Sequence, residues 1–333
     1  MIINPEMEAA NEITHVFSLP AALGVNSFAH GQAELVKFKV PEGNLLNGLS
    51  LAYLGKNITN DILICAVERN GEVYMPNGDF VLQSGDVVSF VSERHIARDF
   101  LKQIGLATRQ VKDTMIIGAS KAAYYLAKEL LNMGISVKII EKEKENCESL
   151  SVKLPKAIII NGDGTDPDIL KEEGIETVQS FIPLTGIDEE NIMLTLYAKQ
   201  VSKAKVVTKI NRVNYKQVIN NLDLGSLVYP KYITSEAIIA YVRAKKNSMG
   251  SNIETLYHMF DSRVEAIEFI EENSKVSGVP IKDLKLKKDV LISFINHNGH
   301  IIIPTGNDEI EDGDTVMIVT KNTGFTGIDD IVR

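Results

Sequence analysis

Residues 113–141 read DTMIIGASKAAYYLAKELLNMGISVKIIE. Thr114 to Ile117 is a short apolar run, and Gly118-Ala119-Ser120 is a turn of small residues. Lys121 onward carries apolar residues at helical spacing, and Ser136 to Ile140 is a second apolar run closed by Glu141. This order predicts a parallel strand–helix–strand unit, because the pattern switches from the strand period to the helix period and back. The alternation continues to residue 228, with further strands expected near Ala157 to Ile160, Ser180 to Leu184, Lys205 to Ile210 and Ser226 to Val228. The uninterrupted apolar run from Ala157 to Ile160 predicts a strand buried on both faces. The expected fold is a doubly wound α/β sheet.

Ligands of such sheets bind outside the carboxyl ends of the strands. Gly118-Ala119-Ser120-Lys121-Ala122-Ala123 stands where a G-x-G-x-x-G loop turns from strand to helix. Gly118 suits the tight turn, Ser120 replaces the glycine that lets backbone approach a pyrophosphate, and Ala123 is small enough for helix packing. Backbone N–H groups at the following helix N-terminus still offer an anion site. Glu141 lies 23 residues beyond Gly118 at the end of the second strand. That is close to the spacing of roughly 20 at which a carboxylate accepts from both ribose hydroxyls, which favours NAD over NADP. Gly162-Asp163 and Thr185-Gly186 follow the third and fourth strands, as ligand contacts or as helix caps such as Asp188 could provide. Lys209, near the end of the fifth strand, is placed to meet phosphate or to face solvent.

Outside this region the chain repeats itself. Residues 67–92, VERNGEVYMPNGDFVLQSGDVVSFVS, align without a gap on residues 295–320, INHNGHIIIPTGNDEIEDGDTVMIVT. The matched positions are turn formers: Asn70-Gly71 on Asn298-Gly299, Pro76 on Pro304, Gly78 on Gly306, and Gly85-Asp86 on Gly313-Asp314. Each copy is expected to be a small β-rich module with an Asn-Gly hairpin and a Gly-Asp turn. Ile3-Asn4-Pro5 and the helical pattern through Ile13 also correspond to Val228-Tyr229-Pro230 and the helix after it. Residues 1–110 thus match only the later half of the repeat that runs from Val111 to the end. The expectation is a parent of four modules short of most of its first one, by truncation, a misassigned start or gene decay.

The 35 basic and 44 acidic residues leave a net charge of −9, which argues against a nucleic-acid binder relying on a basic surface. Apolar runs such as Ile62 to Val67 fall far short of the roughly 18 residues of a spanning helix. The opening MIINPE has neither the basic start nor the apolar stretch of a signal peptide. Cys65 and Cys147 are far apart in sequence, so two free thiols are expected.

The stretches GASKAAYYLAKEL, VKIIEKEK, INGDGTDPDILKEEGI, LTGIDEENIMLTLYAK and VYPKYITSEAI resemble the nucleotide-binding module of the TrkA family, peripheral subunits of bacterial Trk potassium uptake systems. The resemblance includes two carboxyl-terminal modules of the RCK-C (TrkA-C) type, and the doubled order resembles TrkA, since the related Ktr regulators carry one repeat. It implies a Rossmann-like RCK-N domain at 111–246, RCK-C modules at 26–110 and 247–333, and a terminal helix of a first RCK-N module at 1–25. It also implies NAD(H) binding, with ATP or ADP in many members. The cofactor loop would be Gly118, Ala119, Ser120, Lys121 and Ala122, the ribose acid Glu141, the strand-edge residues Asp163, Thr185 and Gly186, and the basic residue Lys209. Ser120 departs from the family's usual glycine. The implied setting is cytoplasmic, on the inner face of the plasma membrane, as a homo-oligomeric dimer or tetramer ring beneath a potassium-translocating subunit.

The residues also bear on two other classes. An NAD-dependent oxidoreductase needs a positioned acid or base. His15, His30, His95 and His258 are isolated, while His297 and His300, astride a turn, are too poor in further ligands for zinc. A structural assembly subunit needs no ligand. The duplicated β module beside a nucleotide fold favours a non-enzymatic regulator, with Lys245 to Asn252 as a hinge or a plain linker and the Lys282 to Lys288 cluster as a solvated strand edge rather than a contact for anionic lipid headgroups.

Overall fold

The computed structural model describes residues 4–58, 61–106, 110–212, 218, 219, 222–235, 238, 242, 252–260 and 262–333. The chain forms two compact units, one from residues 1–24 with 109–235, the other from 25–108 with 236–333. The hinge expected at Lys245 to Asn252 lies, apart from Asn252, outside the described residues.

Helix α1 (Pro5–Ser18) begins at Asn4, whose side chain accepts from the Met7 amide, and Pro5 takes the first helical position, where no amide hydrogen is needed. The first β module follows as β1 (Gly24–Phe28), β2 (Ala33–Lys39), helix α2 (Leu51–Asn57), β3 (Leu63–Arg69), β4 (Glu72–Tyr74), β5 (Val87–Glu93) and helix α3 (Arg94–Gln103). Its sheet order is β1-β2-β5-β3-β4. Asn70 (φ 52°) and Gly71 (φ 81°) turn β3 into β4, the two left-handed residues that this hairpin requires. On one face Phe38, Phe90 and Phe100 stack edge to face at 5.1–6.2 Å, closing α3 over the sheet.

The Rossmann-like domain contains β6 (Asp113–Ile117), α4 (Lys121–Asn132), β7 (Ser136–Glu141), α5 (Lys144–Lys153), β8 (Ile158–Asn161), α6 (Pro167–Glu172), β9 (Ser180–Pro183), α7 (Asp188–Val201), β10 (Lys205–Lys209) and β11 (Ser226–Val228). These six strands lie in the order β11-β10-β9-β6-β7-β8, with each described strand pair parallel. Strand order reverses beside β6, so the loop after it opens at the switch point. Ala9, Ala10, Ile13 and Phe17 of α1 enter the same core as Ala123, Leu126, Ala127 and Leu130 of α4.

The sequence reading of 157–160 needs correction. β8 is the outermost strand and Ile158 is 55% exposed. An apolar run reports the mean burial of a strand, whereas edge position is set by strand order.

The second β module repeats the first: β12 (Ile253–Met259), β13 (Val264–Ile270), β14 (Val290–His297), β15 (His300–Ile302) and β16 (Thr315–Thr320), ordered β12-β13-β16-β14-β15. A 3-10 turn at Ile281–Asp283 lies where the first module has α2, and another at Ile328–Ile331 closes one face. Within this unit the other faces of the two sheets share one core, with Phe28, Ala33, Leu35, Cys65, Ala66 and Val91 packed among Met259, Phe260, Val264, Ala266, Phe294 and Val319.

Both cysteines are free and buried. Burial pushes the Cys65 thiol up to about 12 and raises that of Cys147. Because the thiolate is the reacting species, the native chain at pH 8 is expected to show no rapid labelling by a thiol reagent, and full labelling of both cysteines in denaturant. Fast labelling of Cys65 in the native state would contradict its place in the shared core.

Candidate nucleotide-binding site

Three chain segments meet at the carboxyl edge of the parallel sheet. β6 runs into Gly118, whose φ of +94° only glycine adopts without strain. A Cβ there would lie 3.3 Å from the Leu184 carbonyl oxygen and 3.4 Å from the Thr185 Cα, so the missing side chain also permits close approach of the two loops. Ser120 has extended backbone (φ −66°, ψ 163°), a conformation open to any residue. Serine therefore costs the loop nothing in strain. What it changes is the helix N-terminus, since its Oγ accepts from the Ala123 amide at 3.2 Å and occupies a donor that a phosphate would otherwise meet.

Glu141 closes the loop from the neighbouring strand. Its Oε2 accepts from the Ala119 amide at 2.7 Å and its Oε1 from the Glu143 amide at 2.8 Å, leaving the carboxylate 8% exposed. Each oxygen keeps a further lone-pair direction, which is the capacity a ribose diol needs. The acid thus already shapes the loop without any ligand.

Lys209 comes from the other side. It is 8% exposed, and its Nζ donates to the Leu184 carbonyl at 3.3 Å, the same oxygen that abuts Gly118. Burial lowers the ammonium below the usual lysine range, while the Asp188 and Glu6 carboxylates oppose that shift. Thr185 is held by Asn191, whose Oδ1 accepts from the Thr185 amide at 3.0 Å and lies 2.9 Å from its hydroxyl. Asn191 also donates to the Lys209 carbonyl at 3.1 Å. Gly186 is exposed with open space around it.

The structure therefore brings Gly118, Ala119, Ser120, Glu141, Thr185 and Lys209 into one bonded frame. Lys121 is exposed at the first turn of α4, and Ala122 is 4% exposed and packed inward. Asp163 engages its own turn: its Oδ1 accepts from the Thr165 amide and hydroxyl at 2.9 and 2.7 Å, bonds that hold its carboxyl below the usual range. Asp188 does not cap α7. Ile187 is the cap residue, and the Asp188 carboxylate accepts from the amides of Asn211 and Arg212 at 2.8 and 2.7 Å, joining α7 to the segment after β10.

Sequence reasoning missed Asn191, which is completely buried. Its place at helical spacing with Leu194, Thr195 and Ala198 on the buried face of α7 was the available signal. As for the histidines, His297 bonds Asp314 at 2.8 Å, His258 lies 3.3 Å from Glu265 and His95 3.5 Å from Glu93, all in the β modules. No cluster of three or more His, Cys, Asp or Glu able to hold a metal occurs among the described residues.

Comparison with known proteins places this geometry in a family. The TrkA-N domain family matches residues 114–230, and the TrkA-C domain family matches residues 35–105 and 266–326. The Trk system potassium uptake protein TrkA of Haemophilus influenzae is 30% identical over 319 residues, spanning 95% of this chain and 69% of that protein. The TrkA homolog of Archaeoglobus fulgidus is 30% identical over 337 residues, 100% of this chain and 74% of that one. Among solved structures, the GsuK RCK domain aligns over 95% of this chain and 67% of that chain, with a TM-score of 0.55 at 15% identity. The GsuK channel bound to NAD aligns with a TM-score of 0.52 at 16% identity over 95% of this chain and 55% of that one, a likeness of fold. With a TrkA-C match on either side of a TrkA-N match and 30% identity to named members along nearly its whole length, the chain belongs to the TrkA family of Trk system potassium uptake proteins.

Proposed function

We propose that this chain is a non-enzymatic, nucleotide-responsive regulatory subunit of a potassium uptake transporter, cytoplasmic and peripheral to the membrane. Nucleotide binding at the crevice around Gly118 favours one arrangement of the chain, and the membrane partner reads that arrangement through its differential affinity. Among the described residues no helix is long and apolar enough to cross a membrane.

The observation that carries this reading is Lys209, an ammonium 8% exposed with one long hydrogen bond, set against the Gly118 turn. A buried cation with spare donors is costly unless an anion completes it. The diphosphate of NAD(H) meets that need, with Glu141 receiving the ribose, and ATP or ADP present the same two features. When bound, the nucleotide would supply negative charge to this edge. The chain's own residues orient it: Lys209 neutralises it, Glu141 accepts from hydroxyls, and Thr185 is held in place by Asn191. A homo-oligomeric ring, dimeric or tetrameric, is the assembly that this reading implies.

Calorimetric titration of the full chain with NAD, NADH, ATP and ADP tests it. Binding of at least one nucleotide is expected, weakened about tenfold or more by Lys209→Met and by Glu141→Gln. Ser120→Gly is expected to tighten binding about tenfold, since it frees the Ala123 amide for a charge-assisted bond while exchanging the cap for glycine costs the helix only a few tenths of a kcal/mol. Failure of all four nucleotides to bind would leave a structural subunit, and steady consumption of NADH would favour an oxidoreductase.

A further inference from the structure

The two β modules are copies of one design, so each place in one can be compared with its counterpart in the other. Strand pairing defines the equivalent positions. Glu34 pairs with Ser92 and Glu265 with Thr320, so β2 and β13 correspond at an offset of 231, and the later strands at 228. Contacts between the modules therefore come in sister pairs. Arg263 donates to Glu68, and the sister contact is neutral, Asn296 donating to Gln32 at 3.2 Å. Lys37 sits 5.7 Å over the Phe260 ring, and in the sister contact Glu268 meets Ala29, whose amide donates to its Oε1 at 2.7 Å. Phe260 and Ala29 share a φ of 48°, so the turns that carry them match.

This second pair differs in volume and in sign. Where Lys37 brings the chain's own ammonium to an aromatic ring, its counterpart is a carboxylate beside a methyl group. Next to Glu268 lies a cavity of ≈ 490 Å³. Phe28, Ile253 and Ile270 give it apolar walls, while Ser27, His30 and Thr255 add polar groups and Glu254 a second acid. Ser27 and His30 are exposed, so it opens to solvent. Glu268 is 2% exposed, and an ionised carboxylate offers about four acceptor sites. The Ala29 amide and the Thr255 hydroxyl use only two of them. Burial, and after it the Glu254 carboxylate, raise the Glu268 carboxyl above its usual range, against the pull of Thr255, Ala29 and His30. A cation beside the two acids relieves that repulsion and completes the buried group.

We infer that this cavity binds a small organic cation, an amine or guanidinium on a short aliphatic stem. Glu268 and Glu254 hold the charged end, the hydroxyls of Ser27 and Thr255 accept further N–H bonds, and Phe28, Ile253 and Ile270 cover the stem. The sister contact displays the same chemistry from within the chain, since there a lysine ammonium lies against the neighbouring module. Two carboxylates also exclude a nucleotide phosphate, so the cavity selects charge opposite to that sought by Lys209. The occupant touches β1 of the first module together with β12 and β13 of the second, and its binding stabilises the unit that they form.

Calorimetric titration of the full chain at pH 8 with butylamine, putrescine and agmatine tests the inference, with butyrate as the anionic control. At least one of these cations is expected to bind in the submillimolar range, and butyrate not at all. Glu254→Gln, at a partly buried position, should weaken binding about tenfold or more. Ser27→Arg, at an exposed position, should abolish it by placing the chain's own guanidinium in the cavity, as Lys37 brings its ammonium to the sister contact. Glu268→Gln should abolish it too, and if loss of that buried carboxylate prevents folding, the other two variants carry the test. Failure of all the cations to bind overturns the inference, as does equal binding of butyrate. Binding that Glu254→Gln and Ser27→Arg leave unchanged also overturns it, because the amines would then be gathered by the acidic surface as a whole.

Discussion

Asp86→Ala is expected to destabilise the β-module unit by about 3 kcal/mol, and Asp314→Ala at the duplicated position by about half as much. The two aspartates are equivalent and perform the same local task. Asp86 accepts from the Gln83 amide at 2.8 Å and Asp314 from the Glu311 amide at 2.9 Å, each bond tying down the Gly-Asp turn before the last strand. Their side-chain partners differ. Arg69 binds Asp86 through two bonds of 2.7 Å, while His297 offers Asp314 one bond of 2.8 Å. Asp86 is fully buried, so its removal leaves a turn amide without its acceptor and a guanidinium, 23% exposed at its side chain, with only the Val81 carbonyl and the Phe80 ring. His297, 38% exposed at its side chain, regains water more easily. Urea unfolding of both variants, followed by a probe in this unit, measures the difference. Equal losses would show that the turn bond, and not the side-chain partner, dominates.

Between pH 7 and pH 10, the stability of the native chain is expected to rise relative to a Lys205→Met variant. Lys205 begins β10, and its Nζ donates to the carbonyls of Pro20 and Ala22 at 2.6 and 2.8 Å, holding the segment that follows α1. Burial pushes its ammonium down to about 7. Above that pH the folded lysine has released its proton while the unfolded one, with its ordinary value of 10.5, still holds it. The unfolded state then binds more protons, so unfolding becomes harder as pH rises, by at most about 1.4 kcal/mol per pH unit. Below pH 7 both forms are protonated and the contribution is flat. The slope nears this ceiling only between about pH 8 and pH 9.5, where the folded lysine is mostly neutral and the unfolded one mostly charged. Parallel denaturation curves at pH 6, 7, 8 and 9 give the slope, and identical slopes for native chain and variant would refute the depressed value.

Much of this architecture was legible before any coordinates. The Asn-Gly and Gly-Asp punctuation at constant spacing marked two copies of one module, since left-handed turn positions admit few residues. Asn70 and Gly71, and again Asn298 and Gly299, take the positive φ angles that this reading requires. The βαβ pattern of residues 113–141 located Gly118 and Glu141, and the Ala119 amide now links them at 2.7 Å. Asn191 and the employment of Asp188 were not legible, because both depend on contacts with β10 and the segment after it, from 18 to 24 residues away.

What the residues determined alone is what local periodicity can carry: which stretches are strands or helices, where the chain must turn, that a module was duplicated, and that a glycine turn and an acid stand at nucleotide spacing. Tertiary structure decided the rest. It put β8 at the edge, used Ser120 to cap its own helix, buried Lys209 against the Leu184 carbonyl, and matched Arg263 with Glu68 where the sister contact is neutral. The reason is physical. Period and turn chemistry are set within a few bonds of each residue, whereas strand order, burial and the choice of a partner are set by groups that meet only after the chain has closed.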